Sequence, residues 1–149
     1  MAIMGTSYGG YTSIYTLLAQ PDGFVLGIAN SPGTDWRIYD SIYTERYMGL
    51  LSDNLEGYEA SSVMSMVEDL RAHLLLVHSG MDENVQPRHT MQLITALTDA
   101  GKDAELRFYP PGAHGAAYNL ESYVLLQRVY EQTLCRFLKE DCTIQFLNR

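Results

Sequence analysis

Apolar positions along the 149-residue chain follow two alternating rhythms. Four short apolar runs, residues 2–4, 24–29, 74–78 and 105–109, have the length and composition of strands. Between and after them lie stretches with helical spacing. The first covers residues 11–19 and stops before the breaker cluster Gln20-Pro21-Asp22-Gly23. The second covers residues 87–100, with Pro87 in its first turn, Met91, Ile94 and Leu97 at helical spacing, and Gly101 closing it. The third covers about 119–139, with Tyr123, Leu126, Tyr130, Leu134 and Phe137 on one stripe. Strand followed by helix, three times over, predicts an α/β fold with a parallel sheet. Residues 31–70 break the rhythm: they are rich in aromatic and polar residues and predict short helices outside the sheet. There is no repeat, low-complexity tract or linker, so the chain reads as one domain or part of one.

Composition narrows the function classes. Apolar residues make up 46% and charged residues 19%, which is ordinary for a folded domain. The formal net charge is −8 and the ten basic residues are scattered, which excludes a phosphate-backbone partner such as nucleic acid. No apolar stretch approaches the roughly 18 residues that span a bilayer, and Met1–Gly5 is too short, and lacks the basic flank, to be a signal peptide. Cys135 and Cys142 resemble neither a disulfide framework nor a zinc site.

The candidate chemistry begins at Gly5-Thr6-Ser7-Tyr8-Gly9. Gly-x-Ser-x-Gly between an apolar strand and a helix is the context of a nucleophile elbow, a strained turn that lifts a serine hydroxyl above the sheet. The following helix points its N-terminus at the site, and the Tyr8 N–H can face a developing oxyanion. Asp82 lies just beyond the third strand, in "LLLVHSGMDENV", and His114 beyond the fourth, in "RFYPPGAHG". In a parallel sheet these post-strand positions share one edge, so Ser7, Asp82 and His114 converge as nucleophile, orienting carboxylate and base. Their chain order is that of α/β-hydrolases. Glu83 is expected to face solvent, His78 to be a satisfied structural histidine, and His73 and His89 to have no role. His78 and Asp82 have no third ligand at metal spacing, so neither metal nor cofactor is expected.

These motifs resemble the catalytic domain of the prolyl oligopeptidase family of serine peptidases, in its dipeptidyl peptidase IV-like branch. Ser7-Tyr8-Gly9-Gly10-Tyr11 matches the nucleophile motif, and His114-Gly115 the histidine motif. Residues 78–85, "HSGMDENV", match the acid motif with Ser79 where the family pattern has glycine. "WRIYDSIYTERYMGL" is similar to the branch's aromatic signature. The resemblance implies the C-terminal part of an α/β-hydrolase fold, about four parallel strands with flanking helices, spanning 1–149 as a partial catalytic domain. It implies removal of N-terminal dipeptides with proline or alanine second, through an acyl-enzyme, with a peptide as substrate. Tyr39 and Tyr43 then form walls of the pocket for that residue, Trp36 and Tyr8 line it further, and Asn84 binds the substrate backbone carbonyl. A flat, apolar proline ring suits such aromatic walls.

The resemblance also implies what the sequence does not contain: the N-terminal strands of the hydrolase sheet, a β-propeller holding the substrate amine, and a tyrosine completing the oxyanion hole. On that reading the chain is a truncated piece with impaired activity of its own. Animal members pair a cysteine at the position of Leu26 with one in the last helix, a bridge that cannot form here. The resemblance allows a homodimer through the hydrolase domain and implies a periplasmic, secreted or membrane-anchored extracellular setting. Two other readings accompany it. One is a different hydrolase of the family, an oligopeptidase or acylaminoacyl-peptidase. The other is a non-catalytic module that associates through its edge strand or last helix.

Overall fold

The computed structural model describes residues 1–138. Its four strands, β1 (Ala2–Thr6), β2 (Leu26–Asn30), β3 (His73–Ser79) and β4 (Glu105–Tyr109), form one sheet in sequence order with every pair parallel. β2 is buried along its whole length, and β3 from its second residue on. Such strands read as unbroken apolar runs, because both faces of the sheet are covered. The two faces still separate by alternate residues. Ala29, Leu74 and Leu76 join one core cluster, and Leu26, Ile28, Leu75 and Val77 the other. Among the described residues β1 and β4 form the two edges of the sheet.

Four helices flank the sheet or its connections: α1 (Tyr8–Ala19), α2 (Ser41–Met48), α3 (Leu55–Ser61) and α4 (Arg88–Asp99). A fifth, α5 (Leu120–Leu138), follows β4. α1 and α4 pack Ile14, Leu17, Leu18, Leu93 and Leu97 on the first face. α5 covers the second with Leu126 and Tyr130. At Gly27 a Cβ would stand 2.9 Å from Leu17 Cδ2, so glycine there sets how closely α1 approaches β2. Asn119 starts α5 by accepting the Ser122 N–H, at 2.8 Å, while the Ser122 hydroxyl takes the N–H groups of Tyr118 and Asn119. Among the described residues no helix is long and apolar enough to cross a membrane.

Several details depart from expectation. α1 begins three residues earlier, immediately after Ser7. On α4 the buried positions are His89, Thr90, Leu93 and Leu97, whereas Met91 is 40% exposed. Two polar residues can face the core there because each has a buried partner. His78 Nδ1 lies 2.7 Å from Thr90 Oγ1, and His89 Nδ1 accepts the Thr34 N–H at 3.1 Å. On α5, Tyr123 is exposed and lies off the buried stripe. His73, half-buried at the start of β3, stacks on Phe137 with ring centres 4.1 Å apart. Cys135 is disulfide-bonded, although the cysteine spacing had suggested no disulfide framework; Cys142 lies outside the described residues.

Residues 31–70 form two 3₁₀ turns with α2 and α3 between them, as their composition suggested. The segment is fastened from inside by Asp35. Burial alone would raise its carboxyl pKa, but the Arg37 guanidinium and backbone N–H and the Ser62 hydroxyl outweigh that and hold it below the usual value. His89 fastens it from α4. Burial, assisted by Arg88, pushes the His89 imidazole down to about 4 from 6.5.

Stability should therefore fall with acid. Below 6.5 the unfolded imidazole takes up a proton, whereas the folded one stays neutral down to about 4. His89 stability is thus complete above 6.5 and lost as pH falls toward 4. At about 1.4 kcal/mol per unit the loss is about 3 kcal/mol. Urea unfolding across this range should show that decline, and His89→Gln should flatten it. An equally steep decline in the variant would contradict the assignment.

Candidate active site

β1 leads directly into Ser7. The register pairs Thr6 with Asn30, and the Ser7 N–H continues the ladder by donating to the Asn30 carbonyl at 2.8 Å. Ser7 itself sits at φ 60°, ψ −121°, a conformation that costs about 1–3 kcal/mol in a side-chain-bearing residue. It occupies the N-cap position of α1, yet its hydroxyl makes no capping bond, which leaves Oγ free for other chemistry. The turn closes only with glycine at position 5, where a Cβ would lie 2.3 Å from the Gly9 carbonyl oxygen. The Tyr8 N–H opens the first turn of α1, where backbone donors have no acceptor within the helix and the dipole favours negative charge.

Asp82 is 3% exposed in the loop after β3. Its Oδ1 accepts the N–H groups of Asn84 and Val85 at 3.1 and 2.9 Å. His114 Nδ1 approaches Oδ2 at 2.9 Å and Oδ1 at 3.1 Å. A carboxylate only accepts, so Nδ1 carries a proton and, in the neutral imidazole, Nε2 is the acceptor. His78 lies on the other side of Asp82, with Nε2 3.5 Å from Oδ2. Its Nε2 donates to the Val85 carbonyl at 2.8 Å, and Nδ1 therefore accepts from the Thr90 hydroxyl. Burial holds this imidazole below its usual pKa, and with both nitrogens occupied it is a structural residue. Glu83 is exposed. Among the described residues no hydrogen bond joins Ser7 Oγ to His114.

Ser7 opens onto a cavity of 290 Å³ lined also by Tyr8, Gly33, Trp36, Tyr39, Tyr43, Asn84 and Val85. Trp36 is its central wall. It stacks on Tyr8 at 5.7 Å between ring centres and meets Tyr39 edge-on at 5.8 Å. Tyr39 and Tyr43 meet at 86° and 5.6 Å, and the Tyr39 hydroxyl donates to Asn84 Oδ1. Burial raises the pKa of both phenols, with Asp40 adding at Tyr39 and Tyr47 at Tyr43, so both remain neutral donors. A second cavity of 360 Å³, lined by Thr44, Tyr47 and Met48, shares Tyr8, Trp36 and Tyr43 with the first. The sequence reading missed two lining positions. Gly33 carries no side chain to mark it, and Val85 entered only as part of the acid motif.

The structure thus brings Asp82 and His114 into contact and gathers Ser7, Tyr8, Trp36, Tyr39, Tyr43 and Asn84 around one cavity. A parallel sheet whose first strand breaks into a serine elbow, with the acid beyond the third strand and the histidine beyond the fourth, is an α/β-hydrolase arrangement. The model of the prolyl oligopeptidase family matches residues 1–139, and the chain belongs to that family. It is 42% identical over 143 residues to dipeptidyl peptidase 4 of Sus scrofa, covering 94% of this chain and 18% of that protein. Dipeptidyl peptidase 8 of Mus musculus is 43% identical over 117 residues, covering 76% of this chain and 13% of that protein. The crystal structure of Porphyromonas gingivalis dipeptidyl peptidase 4 superposes with a TM-score of 0.87 at 34% identity, covering 91% of this chain and 19% of that one. The chain therefore spans less than a fifth of the length of these relatives.

The elbow gives a direct test. Gly5→Ala drives a methyl group into the Gly9 carbonyl and should cost about 3 kcal/mol, read as a lower urea midpoint. Gly9→Ala, where a Cβ meets nothing within 4 Å, should leave the midpoint unchanged or raise it, since alanine is favoured over glycine within a helix by up to about 1 kcal/mol. Equal losses would show that the turn does not depend on Gly5.

Proposed function

We propose that this chain carries the reaction centre of a serine-type dipeptidyl peptidase. The observation that carries the reading is that Ser7, strained and without a capping bond, opens onto the same cavity as Tyr39, Tyr43 and Asn84. The Asp82–His114 pair lies beyond the ends of β3 and β4, on the same edge of the sheet. On this reading His114 Nε2 takes the Ser7 proton as Oγ attacks the scissile carbonyl, and the Ser7–His114 hydrogen bond closes when substrate arrives. The developing oxyanion receives the Tyr8 N–H. His114 then gives its proton to the leaving amine as the C–N bond breaks, and water reverses the cycle on the acyl-enzyme. Asp82, held by two backbone donors, keeps Nδ1 protonated and stabilises the imidazolium.

Specificity follows from the cavity. Tyr39, Tyr43 and the Trp36 indole, meeting edge to face, form an aromatic-walled slot suited to a proline ring or a small alanine side chain. Asn84 donates its amide N–H to the substrate carbonyl, while its Oδ1 accepts from Tyr39 and holds the amide in orientation. The names of the relatives, dipeptidyl peptidases 4 and 8, favour release of dipeptides over the other activities in the family.

Labelling by a fluorophosphonate probe separates nucleophile chemistry from turnover. It should fall on Ser7, disappear in Ser7→Ala, and slow by roughly 10³–10⁴ in Asp82→Asn. Labelling that survives Ser7→Ala would refute the assignment. With the protein in its full natural length, Gly-Pro and Ala-Pro chromogenic amides should be cleaved in preference to N-acylated ones. Tyr43→Ala should raise KM for the proline substrate about tenfold. A preference for blocked N-termini would instead favour an acylaminoacyl-peptidase or oligopeptidase.

A further inference from the structure

The loop that carries His114 is held at points that the triad does not explain. After His114 the backbone turns left-handed at two consecutive residues, Gly115 (φ 93°) and Ala116 (φ 72°). Ala116 is a fully buried alanine in a conformation that costs about 1–2 kcal/mol. Such a turn persists only where its surroundings determine it. Two strand ends supply those surroundings, one on each side.

On the β2 side, both backbone groups of Gly115 are taken by one dipeptide. The Asn30 Nδ2 donates to the Gly115 carbonyl at 2.9 Å, and the Gly115 N–H donates to Ser31 Oγ at 3.2 Å. The Ser31 hydroxyl in turn donates to Asn30 Oδ1 at 3.2 Å, closing a ring of three hydrogen bonds. Ser31 is fully buried and itself left-handed, at φ 45°, with its N–H on the Val77 carbonyl at 2.8 Å. The backbone carbonyl of Asn30 is also the acceptor of the Ser7 N–H. One residue therefore touches the serine elbow through its main chain and the histidine loop through its side chain.

On the β3 side, buried Ser79 donates its hydroxyl to the carbonyl of Ala113, the residue before His114. This is the position where the family's acid motif has glycine, which has no hydroxyl to offer. The N–H groups of Gly80 and Met81 add bonds to the carbonyls of Tyr109 and Gly112 at 3.1 and 3.0 Å.

From this geometry we propose that Asn30, Ser31 and Ser79 are positioning residues for His114. Their side chains grip the backbone on both flanks of the histidine and hold its Nδ1 on Asp82. The inference rests on the catalytic reading above only for its consequence; the grip itself can be measured without turnover.

The test uses the 149-residue chain and its Ser31→Gly, Ser79→Ala and doubly substituted variants. Glycine suits the positive φ at position 31 and removes the hydroxyl without straining the backbone. The readout is the exchange rate of the His114 Nδ1 proton by NMR, with the amide protons of Leu75 and Leu76 in β3 as the internal control. Expected is at least tenfold faster exchange of the Nδ1 proton in the double variant, with the sheet amides unchanged. Unchanged Nδ1 exchange overturns the proposal, as does an Nδ1 proton that already exchanges freely in the unsubstituted chain. Parallel loss of sheet protection would show a scaffold role and also overturn it. Should Ser79→Ala fail to fold, Ser79→Cys keeps the volume with a weak donor and is read in the same way. Fluorophosphonate labelling in the same samples tests the catalytic reading separately. A protected Nδ1 proton that the substitutions release, in a chain whose Ser7 never labels, leaves the grip standing and removes the peptidase.

Discussion

The hydrogen bond from the Ser7 N–H to the Asn30 carbonyl joins scaffold to site. It is the last bond of the β1–β2 ladder, one residue beyond the Thr6–Asn30 pair, and it is made by a residue already outside strand geometry. Everything upstream serves its register. β2 is buried on both faces and paired on both edges, so it cannot slip without turning an apolar face toward the wrong layer. Gly10 allows α1 to lie so close that a Cβ there would stand 2.9 Å from the Asn30 carbonyl oxygen. The place of the serine is thus set by backbone pairing and by small residues, and side-chain contacts refine it.

The same division of labour governs the other two groups. Asp82 is anchored by main-chain donors of its own loop, which leaves its outer oxygen for His114. His78 braces that loop from beneath, through the Val85 carbonyl and Thr90, and burial keeps it neutral beside a carboxylate it would otherwise neutralise. The loop then reaches the cavity through Asn84 and Val85. A shift of this short segment would therefore disturb both the histidine contact and the slot wall, since the two share one stretch of backbone.

Much of this was legible in the order of residues. Apolar runs with helices between them marked the strands, because parallel strands covered on both faces need little else. Gly5 and Ser7 identified the elbow, since a side chain at position 5 would meet the Gly9 carbonyl, whereas position 9 itself has open space. The face of α4 was not legible. Its core side includes His89 and Thr90, which look like surface residues until Thr34 and His78 are placed against them. Nor could the start of α1 be read: Tyr8, Gly9 and Gly10 are poor helix formers on propensity, and the packing of α1 on β2 decides the boundary. Asn30 and Ser31 carried no signal, and Ser79 showed only as a departure from the acid motif, because a buried polar residue declares its role only through partners far away in sequence.

Trp36 is the chain's single tryptophan, and it stands in the wall of the cavity with Tyr8, Tyr11, Tyr39 and Tyr43 within 6.2 Å between ring centres. Light absorbed by these phenols passes to the one indole they surround, and the emission leaves from beside Ser7. The intrinsic fluorescence of this protein is thus a local signal: its colour and intensity record the polarity and occupancy of the slot, while most of the fold stays dark.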